Sequence, residues 1–245
     1  PYSDSAEQLG LNLSKVMTKS SSSDLKTLRK LSPIQIIQNI ENDPFYTTQF
    51  DSLTIIDGEV IPEDISLIYK KGHQADVPVL IGSTADEATS FDPKMLNPGL
   101  SSISYKELTV SSISDILPKA DKAIFDLYPV KNEEMAKRSW VDFTTDAMFT
   151  AQMQKWGNLM STVQSPAYLY LWYPSVNGSI EYRAFHAAEV PYVFGQFDMF
   201  QIDISKRDLD FSQKMIKIWT NFAKTGNPST QMVSWPEFNS STNEY

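Results

Sequence analysis

Two short, almost wholly apolar segments constrain this chain more than any other feature. Val77-Pro-Val-Leu-Ile-Gly82 is bounded by Asp76 and Ser83, and Ala167-Tyr-Leu-Tyr-Leu-Trp-Tyr173 is stopped by Pro174. A strand with one wet face alternates apolar and polar residues, whereas a run that is apolar throughout must be covered on both faces. Helical patterns precede, separate and follow these two runs. The predicted class is therefore α/β, with a mostly parallel sheet covered on both sides. Pro78 lacks an N–H for a strand ladder, so it belongs at a first or unpaired position.

The helical patterns are readable from caps and periodicity. Ser5 with Gln8 forms a capping box ahead of Leu9, Leu13, Val16 and Met17. Asp24 opens a second short helix carrying Leu25, Leu28 and Leu31, and Ser32-Pro33 opens a third. Pro62–Lys71 has acids near its start, lysines at its end and Gly72 just beyond. A long helix is predicted over about 132–164, with Met135, Trp140, Phe143, Met148, Ala151, Trp156, Leu159 and Val163 on its apolar face. The last spans about 209–224 and ends at Thr225-Gly-Asn-Pro228. No repeat of 20–50 residues is present.

Composition removes several classes of function. The 245 residues can bury a full core as one large domain or two small ones. There is no cysteine, which excludes thiolate zinc sites and iron–sulfur clusters. Two histidines, His73 and His186, leave little from which to build a histidine-rich metal site. His73 follows Lys70 and Lys71 and reads as a surface residue near a helix end. A net charge of −9 argues against a nucleic-acid or anionic-membrane surface. The longest apolar run, Ala167–Tyr173, is too short to span a bilayer as a helix. The chain opens Pro-Tyr-Ser-Asp, and the expectation is a part of something longer.

In open parallel sheets, functional side chains gather beyond the C-terminal ends of the strands. After Val77–Gly82 come the adjacent carboxylates Asp86 and Glu87. After Ala167–Tyr173 comes a loop with Pro174, Asn177 and Gly178, then Arg183-Ala-Phe-His186-Ala-Ala-Glu189. Acid first and histidine later is the chain order of Ser…Asp/Glu…His triads. Taken alone, each segment also has a bland reading, as a solvated loop carboxylate and a hydrogen-bonded structural imidazole.

Longer motifs bring in a family. Asp76-Val-Pro-Val-Leu-Ile-Gly-Ser-Thr-Ala-Asp-Glu-Ala-Thr-Ser-Phe91 resembles the acid-bearing segment of type-B carboxylesterases, the cholinesterase-like α/β-hydrolases. Asp57-Gly58-Glu-Val-Ile-Pro62 resembles that family's DGxxxP stretch. Phe185-His186-Ala-Ala-Glu189-Val-Pro-Tyr-Val-Phe-Gly195 resembles its histidine segment, and Trp219–Pro228 with Trp235-Pro236 resembles its C-terminal motifs. The resemblance implies an α/β-hydrolase fold with Glu87 as the orienting acid and His186 as the general base. It makes Glu189 a buried structural orienter, and it implies no metal or organic cofactor. Alanines stand where the family has glycine after both the acid and the histidine, at Ala88 and Ala187. That change is mild where φ is negative and costly where φ is positive.

The family's nucleophile sits in a G-x-S-x-G elbow, yet no two of the nine glycines here lie four apart. Ser83 and Ser90 flank Glu87 without resembling such an elbow. The resemblance therefore leads to the expectation of a C-terminal half of a bacterial-type carboxylesterase domain spanning 1–245, cytoplasmic or exported and soluble. A companion N-terminal chain would supply the serine and oxyanion hole, and the sheet would be completed by that missing segment. On this expectation the pair forms a heterodimer of fragments acting on a small-molecule ester. The alternatives are a non-catalytic cholinesterase-like adhesion or binding module, and an inactive fragment. Phe91, Met95, Trp140, Phe143 and Phe149 are read as core rather than pocket. Asn12-Leu-Ser, Asn177-Gly-Ser and Asn239-Ser-Ser match the glycosylation triplet, a pattern that also arises by chance.

Overall fold

The computed structural model describes residues 6–20, 25–41, 55–173, 183–198, 204–239 and 241. The chain divides into two compact units, Pro1–Leu67 and Ile68–Tyr245. Described residues of the first unit form α1 (Ala6–Thr18), α2 (Leu25–Leu28) and α3 (Pro33–Glu41). Ser5 and Asp24, read as caps of the first two, lie outside the described residues. The third start is as predicted. Ser32 N–H donates to Gln35 Oε1 at 2.9 Å, and Gln35 N–H returns to Ser32 Oγ at 3.4 Å. Asn39 Nδ2 donates to the Met17 carbonyl at 2.8 Å and ties α3 to α1. In the Asp57-Gly58 turn, Asp57 Oδ1 accepts the N–H groups of residues 59, 60 and 61, and these backbone donors lower its pKa.

Helix α4 (Ile65–Lys70) begins three residues later than Pro62, because Asp64 is its cap and accepts the Leu67 N–H at 3.2 Å. Gly72, at φ +69°, ends it, and the following His73 is exposed.

In the second unit, β1 (Val79–Thr84) and β2 (Ala167–Trp172) pair in parallel, in register from Val79↔Ala167 to Thr84↔Trp172. The first strand starts two residues later than the apolar run because Pro78 cannot donate; Val79 N–H opens the pairing by donating to the Pro166 carbonyl. It also continues through Ser83 and Thr84, both buried. Alternate side chains cover the two faces. Ile81, Ala167 and Leu169 pack with Met153, Trp156, Met160 and Phe238. On the other face, Tyr170 and Trp172 pack with Tyr192, Phe211, Met215 and Trp219. The second apolar run is thus covered on both sides, as its composition requires.

The helices flanking this sheet are α5 (Pro93–Leu96), α6 (Tyr105–Ile116), α7 (Ile124–Leu127), α8 (Glu133–Thr145), α9 (Ala151–Met160), α10 (Val190–Phe194) and α11 (Lys206–Thr225). The long helix predicted over 132–164 is two helices joined by a π turn, Asp146–Thr150, where the Ala151 N–H reaches the Asp146 carbonyl. It stops at Met160, where bonds from Ser161 to Asn158 and from Val163 to Met160 tighten the chain ahead of β2. Helix α11 starts three residues before the apolar pattern because Ser205 and Asp208 form a capping box. Helix α6 has a capping box too, Ser104 with Glu107, which marks a start that apolar spacing did not pick out.

Gly82 is demanded by the pairing. A Cβ at this position would lie 2.4 Å from the Tyr170 carbonyl oxygen and 2.5 Å from its ring, so the backbone itself would have to move. Gly82→Ala is expected to destabilise the second unit by about 2–3 kcal/mol in urea unfolding, within the range for overpacking a rigid core. An unchanged midpoint would contradict this account.

Candidate functional site: an acid–imidazole pair

The acid is held by the end of β1. Beyond Thr84 the chain makes one further bond to β2, from Ala85 N–H to the Trp172 carbonyl at 2.8 Å, and then turns into the 3₁₀ segment Glu87–Phe91. Glu87 is 5% exposed. Its Oε1 accepts the Thr84 N–H at 2.7 Å, so the strand's own backbone orients the carboxylate. Ala88 is fully buried against Tyr105, Ala136, Trp140 and Val141, and its N–H donates to Thr145 Oγ1 at 3.1 Å. The segment is pinned on both sides of the acid.

The histidine arrives on the loop that enters α10. Ala184 and Ala188 are fully buried with Trp172, Tyr192 and Met215, fixing the loop two residues either side of His186. The imidazole stands out between these anchors. Nδ1–H donates to Glu87 Oε2 at 2.6 Å, and 47% of the His186 side chain is exposed. A carboxylate only accepts, so this bond assigns a proton to Nδ1; in the neutral imidazole the lone pair is then on Nε2. Among the described residues nothing hydrogen-bonds Nε2. The structure thus joins the two predicted site residues across 99 positions of sequence. Chemically, such an imidazole can accept a proton or a hydrogen bond from a hydroxyl placed at Nε2.

Two aromatic rings flank it. The ring centroids of Phe91 and Phe149 lie 5.1 and 5.4 Å from that of His186, and the two phenyl rings stack 6.0 Å apart. Both were read as core. Phe149 sits on the π turn, a deviation from helical spacing that apolar periodicity does not announce. Phe91 is 38% exposed, so its ring belongs to a surface and not to the core. Trp140 and Phe143 are buried as expected.

Glu189 is hydrogen-bonded to Tyr170 and not to the pair. Tyr170 OH donates to its Oε1 at 3.3 Å, and its Oε2 is buried without a partner among the described residues. Burial, with the charge of Glu87 adding, raises its pKa. The two alanine departures differ sharply. Ala88 has negative φ, whereas Ala187 is held at φ +66°, beside Arg183 at +49°. Among the described residues no group of three or more His, Cys, Asp or Glu is placed to hold a metal. Nor is any described helix long and apolar enough to cross a membrane.

Residues 2–245 match the model of the carboxylesterase family. The chain belongs to that family. Its second unit has the family's α/β-hydrolase-like layering, a small parallel sheet flanked by helices. It is 31% identical over 197 residues to the para-nitrobenzyl esterase of Bacillus subtilis, covering 77% of this chain and 37% of that protein. It is 28% identical over 228 residues to human neuroligin-2, covering 78% of this chain and 27% of that protein. A thermophilic para-nitrobenzyl esterase superposes with a TM-score of 0.71 at 26% identity, over 97% of this chain and 49% of that one. The chain therefore spans about half the length of this solved relative, and less of the two curated proteins.

These matches correct three expectations. The family model runs over 2–245 as one continuous match, and the solved relative holds the matched region within one longer chain. A companion N-terminal chain supplying serine and oxyanion hole, a heterodimer of fragments, and an esterase active only in that assembly therefore have no support. Motif order establishes family membership; it carries no information on the number of polypeptides. The matches do not test the bacterial-type assignment, since mammalian and bacterial proteins match at similar identity.

Two outcomes follow from the geometry. Ala187→Gly is expected to stabilise the chain by about 1 kcal/mol in denaturant titration, since the left-handed region penalises a Cβ by roughly that amount. Glu189 has a folded pKa above its unfolded value, so its contribution to stability is full at low pH. That contribution is lost as pH rises from the ordinary carboxyl range through the raised value. Glu189→Gln should flatten the fall in stability over that window, as read from unfolding midpoints measured at several pH values.

Proposed function

We propose that these 245 residues act as a non-catalytic binding module of the carboxylesterase family. On this reading the His186–Glu87 pair is its ligand-facing group. The observation that carries it is a half-exposed imidazole whose Nδ1 is tied to a buried carboxylate, with two mutually stacked phenyl rings packed against it. Glu87 fixes the tautomer and the ring plane. His186 Nε2 accepts a hydrogen bond from a ligand hydroxyl or N–H, and Phe91 and Phe149 take an apolar group beside it. The nearby hydroxyl of Ser83 is engaged elsewhere, 3.3 Å from Thr150 Oγ1. Further support comes from similarity to neuroligin-2 at an identity close to that for the esterase.

Purified protein is expected to hydrolyse p-nitrophenyl acetate no faster than its His186→Ala variant, and to take up no fluorophosphonate label. Benzyl alcohol, which offers one hydroxyl and one ring, is expected to shift the His186 side-chain resonances saturably. Hydrolysis about tenfold or more above the His186→Ala background would overturn the reading, because general-base catalysis alone contributes at least that much. So would the absence of any saturable shift.

A further inference from the structure

The acid and the imidazole sit on separate loops, so something must hold those loops in register. Asp86, directly before Glu87, is placed to do this. Its backbone N–H donates to the Ala184 carbonyl at 3.0 Å, and its Oδ2 accepts the Ala184 N–H at 3.3 Å. One residue therefore grips both polar backbone atoms of Ala184, two positions before His186. The other carboxylate oxygen, Oδ1, receives Nη1 of Arg138 from helix α8. Arg138 is itself held from behind, with Nε donating to Asp142 Oδ2 at 2.9 Å and Nη2 meeting Asp142 Oδ1 at 2.5 Å.

We infer that Arg138 is a positioning residue for the acid–imidazole pair, acting through Asp86 on the backbone of the histidine loop. Three features separate this chain of contacts from an ordinary surface ion pair. Asp86 is 6% exposed, and a buried carboxylate left without its cation is costly, whereas exposed pairs contribute little. The guanidinium is used as a fork, with one edge on Asp142 and the remaining nitrogen on Asp86, an arrangement that an ammonium cannot reproduce. Finally, the loop it steadies carries two non-glycine residues at positive φ, Arg183 and Ala187, on either side of His186. Backbone in that region persists only where its surroundings over-determine it. Without Arg138, the Asp86 carboxylate turns towards solvent, the Ala184 N–H loses its acceptor, and the 2.6 Å bond between His186 and Glu87 is no longer enforced.

The inference rests on the proposed function only for the use made of the imidazole; its test needs no ligand, so the two stand or fall separately. The chain has only two histidines, so the Nδ1 proton of His186 can be assigned in the low-field NMR spectrum by its absence from His186→Ala. In Arg138→Ala the exchange of that proton with solvent is expected to rise by ~10-fold or more, with far-UV circular dichroism unchanged. Arg138→Lys, which keeps the charge and loses the fork, should restore part of the protection. Asp142→Asn, which loosens only the outer clasp, should give a smaller increase. Wild-type exchange in Arg138→Ala overturns the inference. If Arg138→Ala does not fold, wild-type exchange in both Arg138→Lys and Asp142→Asn overturns it equally.

Discussion

Parallel pairing of β1 with β2 is the constraint on which the rest of the second unit depends. Parallel strands finish at the same edge of a sheet, so the loops after Thr84 and after Trp172 leave side by side. That alone brings within reach two residues 99 positions apart. The pairing is in turn possible only because Gly82 lets the Tyr170 backbone and ring approach. Both strands are buried on both faces, so a slip in register would misplace the core before it misplaced the site.

From that edge outward, the site is built by restraint on backbone more than on side chains. Glu87 is oriented by the Thr84 N–H, and its turn is held through Ala88 and Thr145. The histidine loop is anchored by the buried methyl groups of Ala184 and Ala188. Its strained points, Arg183 and Ala187, fall between or beside those anchors. The imidazole has one hydrogen bond among the described residues, to Glu87, and packs beside two stacked phenyl rings.

Proteins as different as a para-nitrobenzyl esterase and a neuroligin resemble this chain at similar identity. An expected companion chain followed from reading a motif inventory as a parts list. The continuous family match over residues 2–245 gives that companion no support.

Local chemistry was legible in the sequence itself. Apolar runs located both strands, Ser32-Pro33 and Thr225-Gly226 marked helix ends, and the family resemblance singled out Glu87 and His186 as a pair. Each of these signals depends on neighbours a few residues away. Long-range choices were not legible. The π turn at Asp146–Thr150 interrupts a helix whose apolar spacing runs on unbroken, and it carries Phe149 beside the imidazole. No periodicity or cap connects Arg138 to Asp86, 52 positions apart. The sequence by itself determined the class of fold and its strands, because periodicity and capping are short-range. Only the tertiary structure decided the tautomer of His186, the strain at Ala187 and the Arg138–Asp86–Ala184 connection, because each is set by atoms that folding alone brings together.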